Sequence, residues 1–283
     1  MKILNYLLLL LLLSCGEKKA TNPIDFLKEN AISIKDITKL NRQVYNEVSD
    51  YEIIMIGEMH GTKEPAEFAY GLCNLITEAE NKVVLALEIR DSQMNNFSDE
   101  MSIAQLKELD FFRRKNYDGR NGVSMLDLIH KSNQNEKIMV KFIDNSYPSS
   151  TRDSSMYMEI RNIHNAYPNT KIVTLTGNVH NSFIPLFDMV RIGGYLLKDT
   201  VNFDSKKIMS INHIFSEGNM LNSNGTELQL RIIEREENIY NTNLSYEMFL
   251  SKKFPKGQNR CTHILYTDKV TASGIIEKDD INR

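Results

Sequence analysis

The chain has 283 residues, with 34 Lys and Arg against 37 Asp and Glu, a net charge of -3, and 41% hydrophobic and 25% charged residues. That balance, without any long basic run, gives no footing for nucleic-acid binding, and the absence of Trp weakens a carbohydrate-stacking role. The length allows one large domain or two small ones.

The N-terminus reads as a targeting segment. Met1-Lys2 is a short basic start, and Ile3 to Leu13 is apolar apart from Asn5 and Tyr6. The run is too short to span a bilayer and has the length of a secretory h-region. Leu12-Leu13-Ser14-Cys15 then resembles a bacterial lipoprotein box. The expected organisation is a signal peptide over 1–14, a lipid on Cys15, a polar tether over 15–21 and a single α/β domain over 22–283. The lipid would hold a soluble domain against a membrane, so the expected location is the bacterial cell envelope, after export. Cys73 sits in an apolar helical stretch and reads as a buried thiol, although export would permit a disulfide with Cys261.

Residues 22–48 read as a helical lead-in. Asn22-Pro23 suits a first helix start, and a second start at Ser33 places Ile37, Leu40, Val44 and Val48 on one face. Ile53 to Ile56 is the first buried strand, and Glu64 to Glu80 is a helix with Pro65 in its first turn. Val83 to Ile89 is the next strand. A short helix follows at Ile103 to Leu109, then one from Ser124 to His130 with Ser124 as its cap. Lys137 to Asp144 is a third strand, Asp153 to Ala166 a helix, and Lys171 to Thr176 a fourth strand. A short helix over Ile184 to Arg191 leads to Gly193-Gly194. Lys207 to Ile214 and Thr262 to Thr267 are later strands, and the polar stretch 216–257 reads as an excursion from the sheet. Strands alternating with helices imply an α/β fold, a mostly parallel sheet with helices on both faces.

Two stretches share one grammar: an apolar strand, Gly, two residues, His. They are Gly57-Glu58-Met59-His60 and Gly177-Asn178-Val179-His180. Two further strand ends carry Glu88 and Asp144. In a parallel sheet all four ends lie on one edge, about 5 Å apart per neighbouring strand, and open α/β sheets place their chemistry at that edge. Such a cluster suits one of two jobs. It can hold a divalent metal that activates water, or a His can act as general base on water while carboxylates orient it. Each residue also has a bland reading: Glu88 as an ion-pair partner, His130 and His164 as helix C-terminal dipole contacts, His213 and His263 as structural strand residues. No G-x-S-x-G elbow, P-loop, G-x-G-x-x-G or H-E-x-x-H occurs.

At these residues the chain resembles the superfamily of erythromycin esterase-like proteins, ChaN-like haem-uptake lipoproteins and the TraB/Tiki group. Gly57 to Thr62 with Glu64, Leu87-Glu88, and Gly177 to His180 carry the resemblance. Asp118-Gly119-Arg120, Arg152-Asp153 with Met156, and Tyr266-Thr267 to Val270-Thr271-Ala272-Ser273 resemble the esterase-like branch. The resemblance covers roughly 53–273, leaving 216–257 unmatched. It implies an erythromycin esterase-like or ChaN-like fold and a hydrolase of ester or amide bonds acting on a small molecule or peptide. Glu58, His60, Glu88 and His180 would be catalytic, or would ligate manganese, cobalt or zinc in a metal-dependent variant. Arg120 and Arg152 would reach an anionic group or oxyanion, with Asp144 and Glu64 as further substrate-side groups. The alternative implied by the ChaN-like members is a haem-binding or iron-binding lipoprotein.

Overall fold

In the computed structural model, residues 31–80, 82–114, 118–145, 151–234, 248–251 and 260–277 are described. The expected signal peptide, Cys15 and the expected tether lie outside them. The elements in chain order are β1 (Ala31–Ile34), α1 (Arg42–Val48), β2 (Ile53–Glu58), α2 (Glu64–Ala79), β3 (Val83–Leu87), α3 (Ile103–Lys107), α4 (Asp110–Arg113), α5 (Val123–Asn133), β4 (Ile138–Phe142), α6 (Arg152–Ala166), β5 (Lys171–Gly177), α7 (Ile192–Lys198), β6 (Ile208–Ser223), β7 (Leu228–Ile233), β8 (Met248–Ser251) and β9 (His263–Val270).

The strands form one sheet in the order β1-β8-β9-β6-β2-β5-β3-β4, with β7 paired to β6. From β9 through β4 every pairing is parallel. β2 and β5 lie in the middle, and every residue of both is buried, which is why they read as unbroken apolar runs rather than alternating ones. Ile54, Ile56, Val173 and Leu175 face α2 and α5, against Phe68, Leu72, Ile76 and Ile129. Ile53, Met55 and Ile172 face α6 and α7, against Met156, Ile160 and Leu196. Phe68, Leu72 and Ile76 are spaced by four and are all fully buried, so one stripe of α2 covers the sheet. Each such side chain contributes about 1.5–3 kcal/mol.

The topology picks out one crevice. After β2 the chain crosses one face through α2 to β3, with β5 taking the slot between. After β5 it crosses the other face through α7 to β6 on the far side of β2. The outgoing connections of β2 and β5 therefore diverge, and a cleft opens between their carboxyl ends. The two Gly-x-x-His stretches are those ends.

Several sequence expectations are corrected. Residues 31–34 form a strand instead of part of a helix, paired antiparallel to β8. Within the stretch expected to be an excursion, 216–257, the described residues join the sheet: β6 runs on to Ser223, and β7 and β8 pair with its strands. Polar side chains mislead here because this margin of the sheet faces water. The helix expected over 184–191 is a tight turn between Leu186 and Met189, and the helix starts at Ile192 instead. Ser124 does not cap α5. Gly122 holds the cap position, and the amides of Val123 and Ser124 donate to the Gly274 carbonyl and the Ser273 hydroxyl from far along the chain. Cys73 and Cys261 are both buried free thiols; burial pushes the Cys261 thiol up to about 12 and Cys73 higher still.

Candidate active site

The two motifs interlock through their glycines. A Cβ on Gly177 would lie 3.1 Å from His60 Nε2 and 3.6 Å from His180 Cδ2. A Cβ on Gly57 would lie 2.3 Å from Asn178 Oδ1. Each glycine thus clears space for a side chain of the other motif. Asn178 uses that space to accept from the His213 amide and donate to the His213 carbonyl, tying β5 to β6. A second pair does the same from above. Gly61 and Gly119 have φ of +83° and +90°, and the Leu221 carbonyl approaches so closely that a Cβ on either would sit within 2.1 Å of it. Only glycine combines that φ with that approach. The contact brings the Asp118-Gly119-Arg120 turn beside the His60 loop.

Two imidazole–carboxylate pairs converge on Glu88. His60 Nδ1 lies 2.8 Å from Glu58 Oε1, and its Nε2 faces Glu88 Oε1 at 3.9 Å. His180 Nδ1 lies 2.7 Å from Asp153 Oδ1, and its Nε2 is 3.5 Å from both Glu88 Oε1 and Arg152 Nη1. Glu88 is fully engaged. Oε1 accepts from Arg120 Nη1 at 2.5 Å and from Arg152 Nη2, and Oε2 accepts from the Gly177 amide at 2.6 Å. Each arginine has a second carboxylate: Arg120 pairs with Asp118, and Arg152 pairs with Asp144 through two bonds of 3.0 and 2.8 Å. Arg90 lies 3.9 Å from Asp144.

The charges set the protonation states. Burial alone would push the Glu88 carboxyl up. The Arg120, His180, His60 and Arg152 charges outweigh it and hold that carboxyl well below the usual carboxylate range. Burial is the largest influence on His60 and works against its charge, as does Arg120, but the hydrogen bond to Glu58 and the Glu58 and Glu88 charges together outweigh them, and the net shift is upward from 6.5. His213, beside the site on β6, is pushed by burial down to about 3 and stays neutral.

Of the eight expected site residues, Glu58, His60, Glu88, Arg120, Asp144, Arg152 and His180 form one connected cluster. Glu64 does not join it. Its Oε1 accepts from the Thr271 amide at 2.7 Å, and burial raises its carboxyl. The sequence reading did not assign site roles to Asp153, Asp118 or Arg191. Asp153 orients His180 and accepts from Arg191 Nη1 at 3.0 Å. A lone charge inside the apolar run Val190-Arg191-Ile192 was the available signal for Arg191.

The residues do not fit a divalent cation. A carboxylate on Nδ1 is how metal-bound imidazoles are often held, so the histidines alone do not decide. Glu88 decides: both oxygens are taken, and two guanidinium groups sit where a cation would be repelled. Among the described residues, no group of three or more His, Cys, Asp or Glu is placed to hold a metal ion. Nor does a small cavity between α2 and α5 suit haem. It measures about 100 Å³ and is lined by Lys63, Glu67, Tyr70, Asp127 and Lys131 among others, whereas organic ligands take about 300–1,000 Å³.

The architecture is that of the erythromycin esterase-like fold. A succinoglycan biosynthesis protein of known structure superposes with a TM-score of 0.71 at 13% identity, over 92% of this chain and 100% of that chain. A Bacillus cereus protein gives 0.63 at 12%, with the same coverage. A mutant of the erythromycin esterase EreC in its open conformation gives 0.61 at 10%, over 88% of this chain and 100% of that chain. No family model matches the sequence, and no curated protein matches it.

Proposed function

We propose that the chain is a hydrolase of ester or amide bonds, with His60 as the general base. The observation that carries this reading is the His60–Glu58 pair at 2.8 Å, with the opposite ring nitrogen facing Glu88 at 3.9 Å on a side chain that is 22% exposed. Glu58 accepts from Nδ1–H, which leaves the Nε2 lone pair for a proton from water. The resulting hydroxide adds to the carbonyl. Arg152, whose side chain is 22% exposed against 6% for Arg120, is the guanidinium that reaches the oxyanion. Arg120 holds Glu88 from below. His180, oriented by Asp153, gives a proton from Nε2 to the departing oxygen or nitrogen. Exchange with solvent then returns one proton to His180 and removes one from His60. The likeness to an erythromycin esterase supports the reading at the level of fold only.

The test is turnover of a panel of aryl esters and peptides by the wild type and His60→Ala, with melting temperature measured alongside. Hydrolysis lost in a variant that melts like the wild type supports the reading; equal turnover in both refutes it. A haem titration of the same proteins is the counter-test. A Soret shift that depends on His60, without hydrolysis, would replace this reading by haem binding.

A further inference from the structure

Five apolar side chains stand exposed on the two loops that leave β2 and β5: Phe187 at 78%, Met59 at 40%, Met189 at 39%, Ile184 at 38% and Val179 at 37%. Scattered exposed apolar residues need no explanation. These are not scattered. Met59 and Val179 are the chain neighbours of His60 and His180 in the two motifs, and Ile184, Phe187 and Met189 belong to the loop that folds back from His180.

That loop is held at a cost. Leu186 and Met189 exchange backbone hydrogen bonds of 3.0 and 3.2 Å around a two-residue turn. Both turn residues have positive φ, 54° at Phe187 and 58° at Asp188. Turns of that form favour Asn-Gly, and a bulky side chain rarely adopts them. Arg191 braces the turn. Its Nη2 donates to the Leu186 carbonyl at 2.7 Å, and its guanidinium lies 5.8 Å from the Phe187 ring centroid. Its Nη1 donates to Asp153, the carboxylate that orients His180. The aromatic tip is therefore fastened to the same group that aims a site histidine.

We propose that this rim binds an apolar group of the substrate beside the bond that His60 attacks, with Phe187 as its specificity-determining residue. The substrate class is an ester or amide carrying an aliphatic or aromatic group of several carbons. Placement selects this occupant: Met59 and Val179 stand one residue from each histidine, and Arg191 ties the Phe187 turn to the Asp153 that holds His180. The proposal rests on the hydrolase reading, and the experiment separates the two.

Two ester series are compared, one lengthened on the acyl side from acetate to octanoate, the other on the alcohol side. The wild type is expected to gain about twofold to fourfold in kcat/KM per methylene in one series, which identifies the side of the bond that the rim holds. Phe187→Ser is expected to flatten that gain, and Phe187→Leu to restore most of it. An unchanged gain in Phe187→Ser overturns the proposal. So does a changed oligomeric state by light scattering with the gain intact, which would assign the rim to a second copy of the chain. If the wild type hydrolyses none of the esters, the hydrolase reading fails and the rim is judged by anilinonaphthalene sulfonate fluorescence. Saturable dye binding weakened severalfold by Phe187→Ser supports an apolar-group site; equal binding overturns it.

Discussion

Glu88→Gln keeps the side chain's size and removes the charge on which the cluster converges. In the wild type one carboxylate, 1% exposed, faces two guanidinium groups. Removing one partner of a buried ion pair costs about 3–5 kcal/mol. The structure places this case at the lower end, because Arg120 keeps Asp118 and Arg152 keeps Asp144. A loss of about 3 kcal/mol lowers the melting temperature of a domain this size by about 6–12 °C. Thermal unfolding at neutral pH followed by circular dichroism measures it. The sign with pH follows from the depressed Glu88 carboxyl. Its contribution is present above the ordinary value of 4.5 and is lost as pH falls through the lower folded value. The gap between wild type and variant should therefore hold from neutral pH to about 5 and narrow in more acid solution. Glu64→Gln is the contrast. Its carboxyl is raised by burial, so removing that charge at neutral pH should leave the melting temperature level or higher. A Glu88→Gln protein that melts within about 2 °C of the wild type would refute the claim that Glu88 is the electrostatic centre of the site.

Activity should rise with pH through an apparent value above 6.5, because His60 must be neutral to act and its hydrogen bond to Glu58 lifts it. Glu58→Gln should move that limb to lower pH while reducing kcat, read from a pH–rate profile. Gly61→Ala should be strongly destabilised or insoluble, since the added Cβ would sit 1.8 Å from the Leu221 carbonyl in a left-handed conformation; expression and melting temperature report it. Chelation should leave both turnover and melting temperature unchanged, because Arg120 and Arg152 take Glu88 Oε1 and the Gly177 amide takes Oε2; a loss restored by manganese, cobalt or zinc would overturn that argument.

Much of this molecule follows from local pattern. Buried parallel strands must be apolar on both faces, so β2, β3 and β5 stand out as runs, and a run that stops at Gly-x-x-His announces the edge where polar groups emerge. That suffices to name Glu58, His60, Glu88, Asp144 and His180, while Arg120 and Arg152 rest on the family resemblance. Other features depend on partners far away in sequence. β1 is a strand because β8 lies beside it, and α5 starts where Ser273 and Gly274 receive its first amides. The sequence could name the two histidines and Glu58 beside His60, but not the carboxylate that holds His180, since Asp153 reaches that ring only because α6 packs on the face where β5 ends. Above all, residue types alone left Glu88 open as a metal ligand or an ion-pair partner. Tertiary packing decided it, by bringing the Gly119 turn under Leu221 and α6 across β5, so that two guanidinium groups meet on one buried carboxylate.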